Sequence, residues 1–190
     1  MEFIFLAGVF TALMMKILSE EEVKSYLGKN ELDNLMMFNM GAFLIMFIFG
    51  VNPLWIMVSS LISIAAYTDY KHGEIPNVVS VYAGIISLAN FLVNYQDFLM
   101  ADMALGAGIY IIFFVSCLLG FIGGGDIKLF LPLVILLGGL KFMIFLILSA
   151  ALVMLLFIPK MASKKAAFSS QVRLAPYFYI AYCIICFAVI

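Results

Sequence analysis

Residues 103–122 read MALGAGIYIIFFVSCLLGFI, twenty residues without one charged side chain. At 1.5 Å per residue such a helix is about 30 Å long, the thickness of the hydrocarbon layer of a bilayer. In lipid the backbone must satisfy its own donors and acceptors, and a helix does so within one segment. Further apolar runs lie at about 3–18, 35–51, 53–69, 76–95, 127–138, 141–158 and 174–190, which gives eight helical segments. The run 127–138 is too short for a full crossing. Glycines at Gly125 and Gly138-Gly139 mark its ends, so a half-membrane helix held within protein is expected there. Several runs carry β-branched and aromatic residues all round without a polar alternation of period two, which argues against an outer-membrane barrel. The predicted fold class is an all-α integral membrane protein, a polytopic bundle of about eight transmembrane or half-membrane helices.

Composition agrees with this reading. Of 190 residues, 66% are hydrophobic and 11% charged, against roughly 45–50% apolar and about 25% charged in soluble domains. There are too few polar residues to cover a water-facing surface, so the lipid bilayer is an expected partner. The net charge of −1 supplies no field to attract nucleic acid, and none is expected as a partner. Cys117, Cys183 and Cys186 all lie inside apolar runs, unlike a secreted disulfide framework. Cys183-x-x-Cys186 lacks two further ligands nearby, so neither a metal nor a cofactor is expected. Met1 and Glu2 open the chain where a secretory signal carries positive charge, and no small-residue cleavage pattern follows. The first segment is therefore expected to be retained as a helix.

Threading the segments alternately places 19–34, 70–75, 123–126 and 159–173 on one side. With them lie Lys16, Lys24, Lys29, Lys71, Lys128, Lys160, Lys164, Lys165 and Arg173, leaving only Lys141 opposite. This bias of basic residues makes the first side cytoplasmic and places both termini and Asp97 outside. The polar stretch 19–34 contains Ser19-Glu20-Glu21-Glu22, suited to the start of a short surface helix. Its simpler reading is a solvated linker. The expected organisation is 1–52, N-terminal membrane helices with the cytoplasmic linker 19–34, followed by 53–190, a six-helix core.

Two acids interrupt the apolar pattern where chemistry is possible. Asp69 ends an apolar run and is followed by Tyr70-Lys71-His72-Gly73-Glu74-Ile75-Pro76-Asn77; Asp126, 57 residues later, follows Gly123-Gly124-Gly125 and precedes Ile127-Lys128. Acids near membrane helices are costly unless they lie at an end, in a cavity or in a functional site. The threading places both at cytoplasmic helix ends, so they are able to meet. If they do, the pair holds one shared proton, the state in which one carboxylate activates water and the other donates to a carbonyl oxygen. Glycines without Cβ before Asp126 allow a sharp turn with positive φ and close approach of an extended peptide. Each residue also has a structural reading. Asp126 is a good N-cap for the helix that follows, Asp69 is able to pair with Lys71, and Pro76 suits the first residue of a helix. His72 sits in a solvated loop, and Lys128 either snorkels at the interface or steadies a substrate.

With these residues the chain resembles the type IV prepilin peptidases and archaeal preflagellin peptidases, membrane aspartyl proteases with a first Asp before an Ile-Pro-Asn turn and a second in Gly-x-Gly-Asp. The matching residues are Asp69 with Ile75-Pro76-Asn77, and Gly123-Gly124-Gly125-Asp126; Leu174-Ala175-Pro176-Tyr177 looks like the family's Pro-containing final segment. The likeness extends from about residue 53 to the end. It implies that Asp69 and Asp126 are the catalytic pair, with Gly123, Gly124, Gly125, Lys128, Pro76 and Asn77 in supporting roles. It further implies that the partners are prepilin-like or preflagellin-like precursors, from which a short basic leader is removed at the cytoplasmic membrane face. Larger bacterial members carry paired Cys-x-x-Cys motifs in a region associated with methylation of the new N-terminus. Residues 19–34 contain no cysteine, so the chain looks like a short, peptidase-only member. Two rival classes are a small ion-coupled transporter, which needs a chain of ionisable groups to the outer face, and a catalytically silent scaffold.

Overall fold

The computed structural model describes residues 2–94, 99–162 and 173–188. Among these the regular elements are all helices: α1 Glu2–Ser19, α2 Glu21–Tyr26, α3 Lys29–Ile48, α4 Pro53–His72, α5 Asn77–Val93, α6 Met100–Leu118, α7 Gly124–Ala162 and α8 Ala175–Ala188. Three stretches are long and apolar enough to cross a membrane, Lys29–Ile48, Met100–Leu118 and Gly124–Leu155, and shorter apolar helices accompany them. The chain is an all-α integral membrane protein. Asp97, Lys164 and Lys165, to which the threading assigns sides, lie outside the described residues, as do Met1 and residues 189–190.

Helix α4 is the centre of the bundle, and its ends are written in its sequence. Asn52 Oδ1 accepts the N–H of Leu54 at 2.9 Å and Pro53 takes the first helical position, both favoured helix starts. At the other end Gly73 adopts φ 75° and donates its N–H to the Asp69 carbonyl at 2.8 Å, a left-handed cap that a Cβ would disfavour. Between these ends nearly every residue from Trp55 to Asp69 is buried against α3, α5 and α8. The serines that lower the helix's hydropathy therefore face protein, where Ser63 donates to Asn39 Oδ1 at 2.7 Å and Asn39 in turn donates to the Leu35 carbonyl at 2.9 Å. Such bonds between helices satisfy polar groups that lipid cannot. Phe130, Phe142, Phe145 and Phe178 pack ring against ring, joining α7 to α8.

Each of the eight apolar runs forms helix over most of its described residues, with α7 accounting for two of them. The expected break falls at Gly138, whose φ of 72° and ψ of 179° interrupt α7. No loop intervenes at 139–140, and the second half resumes at once. Breaking a helix leaves N–H groups at the new start without partners. One of them, Leu140 N–H, is taken up at 2.7 Å by Asp102 Oδ1 from α6. The approach is close: a Cβ on Gly139 would stand 2.7 Å from the Gly106 nitrogen, and one on Gly106 would stand 2.9 Å from Val134 Cγ1. Lys141 lies at the same end, its Nζ 5.3 Å from the centroid of the Trp55 ring.

Of the two readings of 19–34, the short surface helix is the one seen: residues 21–26 are helical, α3 begins at Lys29 inside the stretch, and Val23 and Leu27 are buried in the core. Two apolar residues four apart anchor this segment, while Glu31 reaches the last turns of α4 and Tyr26 the turn after it. Lys71 pairs with Glu31 at 2.5 Å, Tyr67 donates to the same carboxylate at 3.2 Å, and Tyr26 donates to Glu74 Oε2 at 2.6 Å. Residues 19–34, 70–78, 123–126 and 173–175 are thereby gathered at one end of the bundle.

Candidate active site

Asp69 reaches this end on the last full turn of α4, and its side chain is 7% exposed. Its Oδ2 accepts the N–H of Ala175, the first residue of α8, at 3.2 Å. The local pairing with Lys71 is therefore not made; that lysine turns to Glu31 instead. Asp126 comes from the opposite wall. It is the third residue of α7 and not its N-cap, and its backbone N–H donates to the Gly123 carbonyl at 3.2 Å. Its carboxylate folds back so closely that a Cβ on Gly123 would lie 3.3 Å from Oδ2. An acid in the first turn of a helix is favoured by the helix dipole without acting as a cap.

Both carboxylates line a single cavity of about 270 Å³. The turn after α4 contributes Gly73, Glu74 and Ile75 to its wall, the start of α5 contributes Asn77, and Gly123 with Gly125 and Lys128 of α7 complete it. Lys128 Nζ donates to Asn77 Oδ1 at 2.5 Å, so this lysine is tied across the cavity and does not simply snorkel. Gly125 is small for a packing reason, because a Cβ there would come within 3.3 Å of Ile75 Cδ1. The positive φ expected among Gly123 to Gly125 occurs earlier, at Gly120, where φ is 80°.

Two of the expected supporting residues stand aside from the cavity. Pro76 is the N-cap of α5, one position before the helical start expected for it, and Gly124 is the first residue of α7 with open space where a Cβ would project. His72 packs its ring against Tyr26 at 5.6 Å between centroids. Sequence reasoning missed Glu22 and Tyr26 of α2 and Glu74, all of which line the cavity. The available signal was the acid run ending at Glu22, together with a helix start at Asn77 preceded by a proline that has no capping side chain.

A model of the type IV leader peptidase family matches residues 55–158, more than half of the chain, and the chain belongs to that family. The protein is thus a membrane protein of the leader peptidase class. No curated protein and no solved structure matched it. The family match spans both Asp69 and Asp126 and stops short of α2 and α8, which contribute Glu22 and the Ala175 N–H to the site.

Proposed function

We propose that this leader peptidase is a membrane-embedded aspartyl endopeptidase with Asp69 and Asp126 as its catalytic pair. The observation that carries the proposal is that the two acids, far apart in sequence, line one cavity at one end of the bundle. Carboxylates that meet within one cavity work with one proton between them. The ionised member takes a proton from water as the water oxygen bonds to the scissile carbonyl carbon, and the protonated member gives its proton to the carbonyl oxygen. On collapse the C–N bond breaks. The carboxyl that took water's proton hands it to the leaving amine, and its partner recovers a proton from the diol, restoring the starting state.

The unit 53–190, which carries α4 to α8 with α7 broken into two halves, is the peptidase core in this proposal. Its substrates are pilin-like or flagellin-like precursors, cut at the cytoplasmic face of the membrane where a short basic leader meets an apolar helix. The uneven distribution of Lys and Arg supports that orientation. Peptidase action without methyl transfer completes the proposal: residues 19–34 lack cysteine, and Glu22, Tyr26 and Glu31 are committed to bonds with the core. Co-expression with candidate precursors, followed by mass spectrometry of the new N-terminus, tests it. An unmethylated N-terminus at the leader boundary is expected. An intact precursor in every case, or a methylated product, contradicts it.

A further inference from the structure

Helix α5 starts without a cap of its own. Its N-cap is Pro76, which offers no side-chain acceptor, so the N–H groups of Asn77 and Val78 need a partner from elsewhere. Glu22 supplies it from α2, 55 residues earlier. Its Oε1 accepts Asn77 N–H at 2.7 Å and its Oε2 accepts Val78 N–H at 3.0 Å. A two-pronged, charge-assisted bond to the positive end of a helix fixes both the position and the rotation of that helix start. Asn77 is then held by its backbone, while its side chain accepts Lys128 Nζ, two residues beyond Asp126. The chain of contacts Glu22 to Asn77 to Lys128 runs along the wall of the cavity that contains both aspartates.

The segment that carries Glu22 is itself fixed. Val23, next to Glu22, and Leu27, just past the end of α2, are buried, Tyr26 bonds Glu74, and Glu20 accepts the Tyr82 hydroxyl at 3.4 Å. Asn77 is exposed and Val78 half-buried, so water takes the place of Glu22 at the Asn77 amide when the carboxylate is removed. What water does not replace is the fixed geometry.

Resting on the catalytic reading above, we propose that Glu22, outside the region matched by the family, is a positioning residue of the peptidase site. It locks the start of α5 so that Asn77 holds Lys128 beside Asp126. The test uses the full chain in detergent, with Glu22→Ala, Glu22→Gln, Asn77→Ala and, as a control on the exposed face of the same helix, Glu21→Ala. Two readouts are taken. The first is kcat and KM on a precursor cleaved by the parent chain. The second is the rate at which an amine-acylating reagent modifies Lys128, measured by mass spectrometry against Lys141 at the far end. In Glu22→Ala, kcat is expected to fall roughly tenfold with KM within about twofold, the signature of a misplaced group and not of lost binding. Glu22→Gln, which keeps one good acceptor, should fall between. Lys128 labelling should accelerate in Glu22→Ala and Asn77→Ala and stay at the parent rate in Glu21→Ala. An unchanged kcat or unchanged Lys128 labelling in Glu22→Ala overturns the proposal. A parent chain that cleaves no precursor removes the catalytic reading alone, and the labelling then decides the role of Glu22 by itself.

Discussion

Asp69 Oδ2 accepts the backbone N–H of Ala175 across 3.2 Å, tying the acid at the end of α4 to the first residue of α8. The same carboxylate thus has a structural duty and a proposed chemical one, and substitutions separate them. Asparagine still presents a carbonyl oxygen to Ala175, whereas alanine leaves a buried N–H without a partner. Asp69→Ala is expected to lose about 1–3 kcal/mol of stability and Asp69→Asn about 1 kcal/mol or less. Thermal denaturation of the two purified variants measures the difference. Equal melting temperatures would show that the bond to Ala175 contributes nothing.

The break in α7 depends on small residues and one acid. Gly139→Ala forces a Cβ against the Gly106 backbone, so it is expected to destabilise the α6–α7 pair by about 1–3 kcal/mol. Asp102→Ala removes the acceptor for Leu140 N–H and should cost about 0.5–2 kcal/mol, while Asp102→Asn, nearly as good a cap, should cost a few tenths. Denaturation in one detergent orders the three. An Asp102→Ala protein as stable as the parent would remove this cap from the description.

The tie between Tyr26 and Glu74 gives a pH signature outside the membrane helices. The Glu74 carboxylate, chiefly through its hydrogen bond and with further help from burial and the charge of Glu22, holds the Tyr26 hydroxyl above its ordinary range. Because the folded-state value is raised, the stabilising bond is fully present below the ordinary tyrosine pKa of about 10 and is lost as pH rises through the raised value. The difference in phenolate absorbance between parent and Tyr26→Phe should therefore titrate above about 10. Glu74→Gln removes the charge and should bring the titration down. A Tyr26 signal at the same pH in both backgrounds contradicts the pairing.

Orientation is tested with single cysteines in a background where Cys117, Cys183 and Cys186 are replaced by alanine. Lys24→Cys on α2 is expected to be shielded from a membrane-impermeant thiol reagent added outside intact cells. Met100→Cys, 91% exposed at the start of α6, is expected to react. The opposite pattern would place the cavity on the outer face.

The fold was legible because lipid imposes a simple rule on sequence: an apolar run long enough to span must close its own backbone bonds, so hydropathy locates every helix but the short polar α2. Gly138 was legible as a break for the same reason that glycine is costly inside a helix. Asp69, Asp126, Gly123, Gly125, Asn77 and Lys128 were singled out from sequence, and all six line the cavity. Glu22, Tyr26 and Glu74 were not. A charged residue in a polar stretch reads as solvated until its partner is known, and the partners of Glu22 and Tyr26 lie 48 to 56 residues away. The Lys71 pairing went astray likewise, since proximity in sequence favoured Asp69 and the fold supplied Glu31. The glycine turn misled in a third way, as Gly125 is small for contact with Ile75 while the left-handed residue is Gly120.

The catalytic claim is tested most directly by precursor cleavage with Asp69→Asn and Asp126→Asn, each measured at equal amounts of membrane-inserted protein. Hydrolysis needs an acid and a base at once, and an amide serves as neither. Each variant is expected to lose cleavage by about 10²-fold or more while still accumulating, and Asp102→Asn at the far end is expected to cleave like the parent. Cleavage near the parent rate by either Asp69→Asn or Asp126→Asn, with protein levels matched, would contradict the assignment of that aspartate to the chemistry.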